Sequence, residues 1–212
     1  MESHVPFSGL VRMKYLPTCP FPPTHWWAYQ MSTNAPIDRD ELYIKQTYRN
    51  RFVISAVNGT VSLSIPVNST KGVKTSISEI RISDHRWVNS YLTTIRSAYG
   101  RSAYFEHYFE ELTVILRKKH THLIDLNIES IEWAAKKLKM VTPSIAESPE
   151  PNTGDSADFR NLFEPNSPLP ELPSYPQVFM DRHPFEPGLS VMDVLFNMGP
   201  KAIDYLLLKN FR

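Results

Sequence analysis

The sequence contains one cysteine, Cys19. A single cysteine cannot close an internal disulfide and cannot by itself form a thiolate cage for a metal, so a disulfide-stapled fold and a thiolate zinc centre are excluded. Such usage is typical of a reducing compartment, and we expect a cytoplasmic protein. Pro20 follows Cys19 directly, and a cysteine before a turn is more often structural than nucleophilic.

Long apolar runs are also absent. No segment approaches the roughly 20 apolar residues of a membrane helix, and the first thirty residues carry prolines and charges rather than an apolar run of the signal-peptide type. We therefore expect neither export nor membrane insertion.

An excess of one charge is lacking too, since 23 Lys and Arg oppose 22 Asp and Glu for a formal net charge of +1. Dedicated nucleic-acid binders normally show a basic excess, so DNA is not an expected partner. The sequence has no Walker-type glycine loop, GxSxG elbow or HExxH motif. Among its histidines only His120 and His122 are close, at a spacing that separates them on a helix, so no metal site is predicted. Cofactors remain unknown.

What remains is an ordinary globular composition, with 42% apolar and 21% charged residues. LVRMKYL reads as a strand, HWWAYQM as a short helix and LYIKQ as a second strand. This order predicts a βαβ-like unit of a parallel sheet, with residues 17–25 at the rim of a pocket. The alternative is that the proline-rich turn is merely rigid.

Asn58 and Gly59 predict a two-residue hairpin turn, because both tolerate positive φ. Counting outward pairs apolar residues with one another and leaves the other face mostly polar. The predicted apolar pairs are Ala56 with Val61, Ile54 with Leu63 and Phe52 with Ile65.

Helical periodicity dominates from residue 84 to 140. Two consecutive aromatic-rich stripes form a corner at Gly100, which we expect to be left-handed, and a third helix is predicted from Asn127. Residues 144–174 are rich in proline and predict an extended loop. YPQVF then reads as a strand, followed by two helices.

The predicted fold is therefore α/β, a mixed sheet with an N-terminal βαβ-like unit and a hairpin, packed against a helical C-terminal half. We expect one domain over 1–212. Its parts are a sheet-rich part at 10–83, a helical part at 84–140, a proline-rich loop at 141–174, and a C-terminal strand and helices at 175–212.

The segment KQTYRNR is the first candidate site. If it stays extended, Lys45, Arg49 and Arg51 share one face and place three cations along about 20 Å, which suits a phosphate or pyrophosphate. Asn50 lies among them. A solvated charge run is the alternative.

The second candidate is DRH. His183 is a suitable general base, Asp181 could orient it, and Arg182 could hold an oxyanion. An exposed loop with an ion pair is the alternative. Upstream, we predict that Asp158, Phe159 and Arg160 are pinned near Arg49 and Arg51, as part of a lid.

Four passages resemble the WbqC-like family of bacterial proteins: LPTCPFPPTHWWA; YIKQTYRNRFVISAVNGTVSLSIPV; ISEIRIS with RWVNSYLTTIRSAYGRSAYFEHY; and YPQVFMDRHPFEPGLSVMDVLFNMGP. In the family the proline-rich loop carries an Asp-x-Arg pattern, which is DFR here. The resemblance implies a bacterial cytoplasmic protein, tied in some relatives to O-antigen and amino-sugar modification by glycyl or other aminoacyl transfer.

Two functions follow as hypotheses. The first is a transferase that attaches an acyl or aminoacyl group to the amine of a phosphate-bearing, nucleotide-linked amino sugar. Its catalytic residues would be His183 and Asp181, and its substrate would be bound by Lys45, Arg49, Asn50, Arg51, Asp158, Arg160, Gln177 and Arg182. The second is a non-catalytic protein that binds a nucleotide or a partner.

Overall fold

The computed structural model describes residues 15–69, 73–146, 159–163 and 173–207. Its strands are β1 (Ile37–Asp38), β2 (Arg51–Ala56), β3 (Gly59–Ser64), β4 (Val67–Asn68), β5 (Arg81–Ile82) and β6 (Ile145–Ala146). Its α-helices are α1 (Thr24–Thr33), α2 (Trp87–Tyr99), α3 (Phe105–Arg117), α4 (Leu123–Lys137), α5 (Val191–Met198) and α6 (Ala202–Leu207). The fold is the predicted mixed α/β type, with small sheets and a helical C-terminal half. None of the helices in these ranges is long and apolar enough to cross a membrane.

The N-terminal βαβ-like unit exists in a short form. Leu16 bridges Ile37 in parallel after the chain has passed through α1, and Ile37 pairs in parallel with Ile145 on its other side. The second strand is therefore β1 and not LYIKQ, where Leu42 makes only an isolated bridge to Ser76. β1 forms the second strand because Ile37, which lies between the segments of Leu16 and Ile145, is buried there and only 1% exposed.

The hairpin forms from β2 and β3, but its predicted register is wrong. Ala56 pairs with Gly59 and Ile54 with Val61, so the loop consists of Val57 and Asn58. Gly59 has φ +111°, a conformation that favours glycine. The shift moves each partner by two residues and so preserves the face of every side chain, which is why Ile54 still faces the core.

The helical layer covers the hairpin. Helices α2 and α5 pack on β2, while α3 packs against α4 and α5. The aromatic stripes of α2 and α3 belong to the core, since Trp87, Tyr99, Phe105 and Phe109 are all buried.

Three local predictions in this part were wrong. Gly100 has φ −59° and is not left-handed. Helix α4 begins at Leu123, where His122 supplies the extended preceding residue, and not at Asn127. Residues 175–179 form no strand, because turns begin within YPQVF. The first described residues of the proline-rich segment are extended and contribute β6, which pairs with β1.

Candidate functional site

The candidate site lies where the parallel segments end. Thr18 follows the bridge at Leu16. Asp38 is the last residue of β1, and Glu41 follows that strand. In α/β sheets, ligands bind outside the carboxyl ends of parallel strands. The short sheet thus gathers polar residues at the edge where the sequence predicted a pocket rim.

A buried ion pair forms the centre of this edge. Arg49 donates from Nε and Nη2 to Oε2 of Glu41 at 2.9 and 2.6 Å, and the backbone N–H of Thr18 donates to the other oxygen at 2.8 Å. The side chains are only 1% and 0% exposed. Burial raises the pKa of Glu41 from 4.5 to about 7, although Arg49 and the Thr18 N–H lower it. Glu41 can therefore exchange a proton near neutral pH.

The backbone puts Arg49 in this place by turning. Residues 45 and 46 form a turn in which Gln46 has φ +64°, and Tyr48–Asn50 is a 3₁₀ helix. The segment is thus not extended, and the predicted common face of Lys45, Arg49 and Arg51 does not form. Lys45 is exposed and Arg49 is buried.

A second buried ion pair adjoins the first. Arg160 donates from Nη1 to Oδ2 of Asp38 at 2.6 Å, and its carbonyl oxygen accepts from Nη2 of Arg49 at 3.0 Å. Phe159 is buried beside it, with its ring 5.4 Å from that of Tyr29. Phe159 and Arg160 are therefore held near Arg49, as predicted, while Asp158 lies outside the described residues.

Helix α1 contributes a neutral imidazole. His25 is 3% exposed and its ring stacks on Phe163 at 5.3 Å and approaches Tyr48 at 6.1 Å. Burial lowers the pKa of His25 from 6.5 to about 4. Its Nδ1 atom is buried without a hydrogen-bond partner, and the ring is neutral near pH 7.

Four other buried polar atoms, on segments that lead into or away from the centre, have no hydrogen-bond partner. Buried polar groups in native proteins nearly always have partners, so each of these atoms is a candidate contact for a ligand; similar atoms also occur at Ser55, Trp133 and Tyr205, away from this centre. The four atoms are Oγ1 of Thr24, Oδ1 of Asn50, Nε of Arg51 and Oδ1 of Asn127.

Arg51 and Lys45 differ from Arg49 in one respect. Neither forms an ion pair with any residue of the described ranges. Asn50 donates from Nδ2 to the carbonyl of Ile65 at 2.9 Å, which leaves its Oδ1 as the free end. Two cations and one amide oxygen thus remain for a ligand beside the buried pair.

Cys19 lies against the same pair but is chemically quiet. It is fully buried, and burial together with nearby Glu41 raises the pKa of its thiol well above the ordinary value. The thiolate, which is the nucleophilic form, is thus suppressed. The structure places Cys19 in the core, where the sequence analysis favoured it.

The DRH residues lie elsewhere. His183 faces two carbonyl oxygens, with Nε2 3.0 Å from Ala56 O and Nδ1 3.2 Å from Pro184 O. Ala56 ends β2 and Arg51 begins it, so about 17 Å of strand separates His183 from the Arg49 centre. Asp181 and Arg182 are exposed, with a loose contact of 3.8 Å. The structure does not bring DRH together with Arg49 and Arg160.

Gln177 belongs to a third group. Its Nε2 donates to Glu186 O at 2.9 Å and to Oδ1 of Asp193 at 3.2 Å. Asp193 is fully buried and also accepts hydrogen bonds from the hydroxyls of Tyr99 and Tyr175. This group links the turn that contains Gln177 and Glu186 to α5. The side-chain donors of Gln177, Tyr99 and Tyr175 are engaged in these hydrogen bonds, so we interpret the group as structural. Among the described residues, no three His, Cys, Asp or Glu side chains are grouped as metal ligands would be.

One comparison with known proteins identifies a family. The model of the WbqC-like protein family matches residues 31–162 and 167–205. The chain belongs to this family. It is similar to "Uncharacterized protein Rv1507c" of Mycobacterium tuberculosis (strain ATCC 25618 / H37Rv), at 26% identity over 197 residues, covering 79% of this chain and 84% of that protein. No solved structure matches the chain significantly.

Sequence reasoning missed three residues of the centre in this WbqC-like chain. Asp38 and Glu41 are not among the predicted site residues, and His25 is placed only in the short helix HWWAYQM, with no functional role. The available signal was the acidic cluster of residues 38–41, which precedes the basic segment and has no helix or strand pattern to explain it. Two buried cations require two buried anions, and that segment is the nearest source.

Proposed function

We propose that this WbqC-like protein is a transferase that moves an acyl or aminoacyl group to the amine of a phosphate-bearing, nucleotide-linked amino sugar. The observation that carries the proposal is the position of Glu41, a buried carboxyl group that follows β1 and is held by Arg49 and the Thr18 N–H. Burial raises its pKa to about 7, which suits a proton acceptor at neutral pH. The amino-sugar substrate class comes from the family resemblance, and the structure is compatible with it.

In the reaction, the amine nitrogen attacks the carbonyl carbon of an activated ester or thioester. A carbon–nitrogen bond forms, the bond to the oxygen or sulfur leaving group breaks, and a proton leaves the nitrogen. Glu41 accepts that proton. His183 is less suited, because both of its ring nitrogens face carbonyl oxygens and these raise its pKa, which favours the imidazolium.

Lys45 and Arg51 would bind the phosphate groups. Each lacks an ion pair within the described ranges, and Nε of Arg51 is a buried donor without a partner. Arg49 has a different role, because its donors are already used by Glu41 and Arg160 O. It holds the carboxylate in place and keeps its pKa from rising further.

Access to Glu41 requires movement, since its side chain is 0% exposed. Residues 159–163 pack on this centre through Arg160 O and through the stacking of Phe163 on His25. In the proposal, substrate displaces these five residues. Hydrogen exchange at 159–163 should therefore change when a nucleotide-linked amino sugar is added.

A thermal-shift screen of nucleotide-linked amino sugars tests the binding step. A ligand at 100 times its dissociation constant adds about 2.7 kcal/mol to the unfolding free energy. Arg51→Ala should weaken binding roughly 10- to 100-fold through loss of a charge-assisted contact. Lys139→Ala is the matched control, because Lys139 is an exposed cation at the end of α4. Equal binding by both variants would remove the phosphate assignment.

Product formation tests the chemical step. Glu41→Gln should retain binding and lose transfer, since an amide cannot accept the proton. The rival function, nucleotide binding without catalysis, is supported by the distance of DRH from the Arg49 centre. Binding without transfer by wild type, over a set of activated acyl donors, would favour that rival.

A further inference from the structure

The outward face of α3 carries charged residues that form no ion pair with another described residue. Glu106, Glu110 and Arg117 are exposed, and none forms an ion pair within the described part of the chain. On the face toward α4 the situation is different, because Glu111 pairs with Lys137 at 2.5 Å. Only the outward charges of this helix are left open.

These charges form a continuous stripe with a defined polarity. The outer stripe of α3 consists of Glu106, Glu110, Thr113, Val114 and Arg117. Steps of three and four residues put all five on one side of the helix. Its N-terminal half is acidic and its C-terminal half is basic.

The middle of the stripe is apolar and exposed. Val114 is 63% exposed, among the most exposed large hydrophobic residues of the described chain. Thr113 and Val114 also occupy the positions three and four residues from Glu110 and Arg117, where an intrahelical ion-pair partner would stand. Glu106 and Glu110, four residues apart, repel each other on the same face. Within the described residues, the charges of the stripe face solvent rather than an oppositely charged side chain.

We propose that a second copy of this chain docks on the outer stripe of α3, with the two α3 helices antiparallel. A two-fold axis between Thr113 and Val114 brings Glu110 of one copy opposite the partner's Arg117. Both residues lie 3.5 positions from the axis, which is about 5 Å along the helix. The pairing repeats by symmetry, as an isologous contact requires.

The neighbouring groove fits this arrangement. It lies between α2 and α3 and has a volume of about 570 Å³. It is lined by four residues of the stripe itself, Glu106, Glu110, Thr113 and Arg117, together with residues that include Leu92, Arg96 and Phe109. Arg96 stacks over the Phe109 ring at 4.5 Å and makes no ion pair with described residues. Side chains from the partner's α3 can enter it. Because the contact is one helix pair long, we expect a dissociation constant on the order of micromolar.

Sedimentation velocity of the full chain over a concentration series tests the proposal. Wild type should show a reversible monomer–dimer equilibrium that weakens as salt is raised. Glu110→Arg alone, or Arg117→Glu alone, turns two symmetric attractions into repulsions and should weaken the dimer roughly 30-fold. The double variant Glu110→Arg/Arg117→Glu should restore dimerisation, since the pairs are re-formed with exchanged signs.

Two further variants sharpen the test. Val114→Glu places two carboxylates close to the axis and should abolish the dimer. Glu79→Arg makes the same charge change at an exposed site away from α3 and should leave dimerisation unaltered. All these positions are exposed, so circular dichroism should show folded proteins.

A monomeric wild type at every concentration would overturn the proposal. A dimer that is insensitive to both single reversals would also overturn it, because the contact would then use another face. So would failure of the double reversal to restore what the single reversals lose. None of these outcomes bears on Glu41 or on the transferase proposal.

Discussion

Glu41 and His25 should act in opposite directions on the pH dependence of stability. Burial raises the pKa of Glu41 from 4.5 to about 7 and lowers the pKa of His25 from 6.5 to about 4. Each of these changes is a difference between the folded and the unfolded chain, so each makes the free energy of unfolding depend on pH.

The signs follow from proton binding. Folded Glu41 holds more protons than the unfolded chain between pH 4.5 and 7, so its contribution is full below pH 4.5 and is lost as pH rises through 7. Unfolded His25 holds more protons than the folded chain between pH 4 and 6.5, so its contribution is present above 6.5 and is lost as pH falls through 4. At about 1.4 kcal/mol for each pH unit, either effect amounts to about 3 kcal/mol.

In wild type the two effects should largely cancel between pH 4.5 and 6.5. Glu41→Gln removes one of them, so this variant should gain about 3 kcal/mol relative to wild type as pH rises from 4.5 to 7.5. His25→Gln should lose a similar amount relative to wild type as pH rises from 4 to 6.5. Comparing each variant with wild type at the same pH removes the contributions of the other titrating groups.

Urea unfolding followed by tryptophan fluorescence measures these free energies. All four tryptophans are buried and should report unfolding of the core: Trp26, Trp27, Trp87 and Trp133. Parallel pH profiles of Glu41→Gln and wild type would refute the reasoning, because they would mean that Glu41 has the same pKa folded and unfolded. The general-base assignment would then lose its support.

Three further outcomes are expected. Arg49→Ala should cost about 3–5 kcal/mol in urea unfolding because it leaves a buried carboxylate without its cation, whereas Arg86→Ala, whose side chain is 90% exposed, should cost nothing measurable; equal losses would contradict the importance of burial. Gly199→Ala should lower the free energy of unfolding by about 2–4 kcal/mol, since φ is +55° and the added Cβ would overlap the ring of Tyr104. An unchanged melting temperature would mean that Gly199 does not adopt this conformation beside Tyr104. The two facing carbonyls should give His183 a pKa above 6.5 in an NMR titration, with its stabilising contribution present below pH 6.5 and lost as pH rises through the folded pKa; a pKa below 6.5 would mean that the two hydrogen bonds are not formed in solution.

The buried faces of the helices and of the hairpin could be predicted from local periodicity. Periodicity is a local property, so the alternation of Phe52 and Ile54 identified the inner face of the hairpin even though the register was shifted. The helical stripes placed Trp87, Tyr99 and Phe105 in the core for the same reason. The four WbqC-like passages likewise sufficed to indicate the family.

Tertiary structure alone decided the site. Arg49 and Arg160 could be selected from the sequence, but their anions could not, because Arg160 finds Asp38 across 122 residues and Arg49 finds Glu41 across a turn that no periodicity marks. His183 shows the converse, since its neighbours in sequence suggested catalysis and its position at the end of β2 separates it from the buried centre. The physical reason is that burial and charge pairing depend on which segments share the interior, and pKa values follow burial. Local periodicity determines whether a residue faces the core or the solvent, and the packing of distant segments determines which residues it contacts.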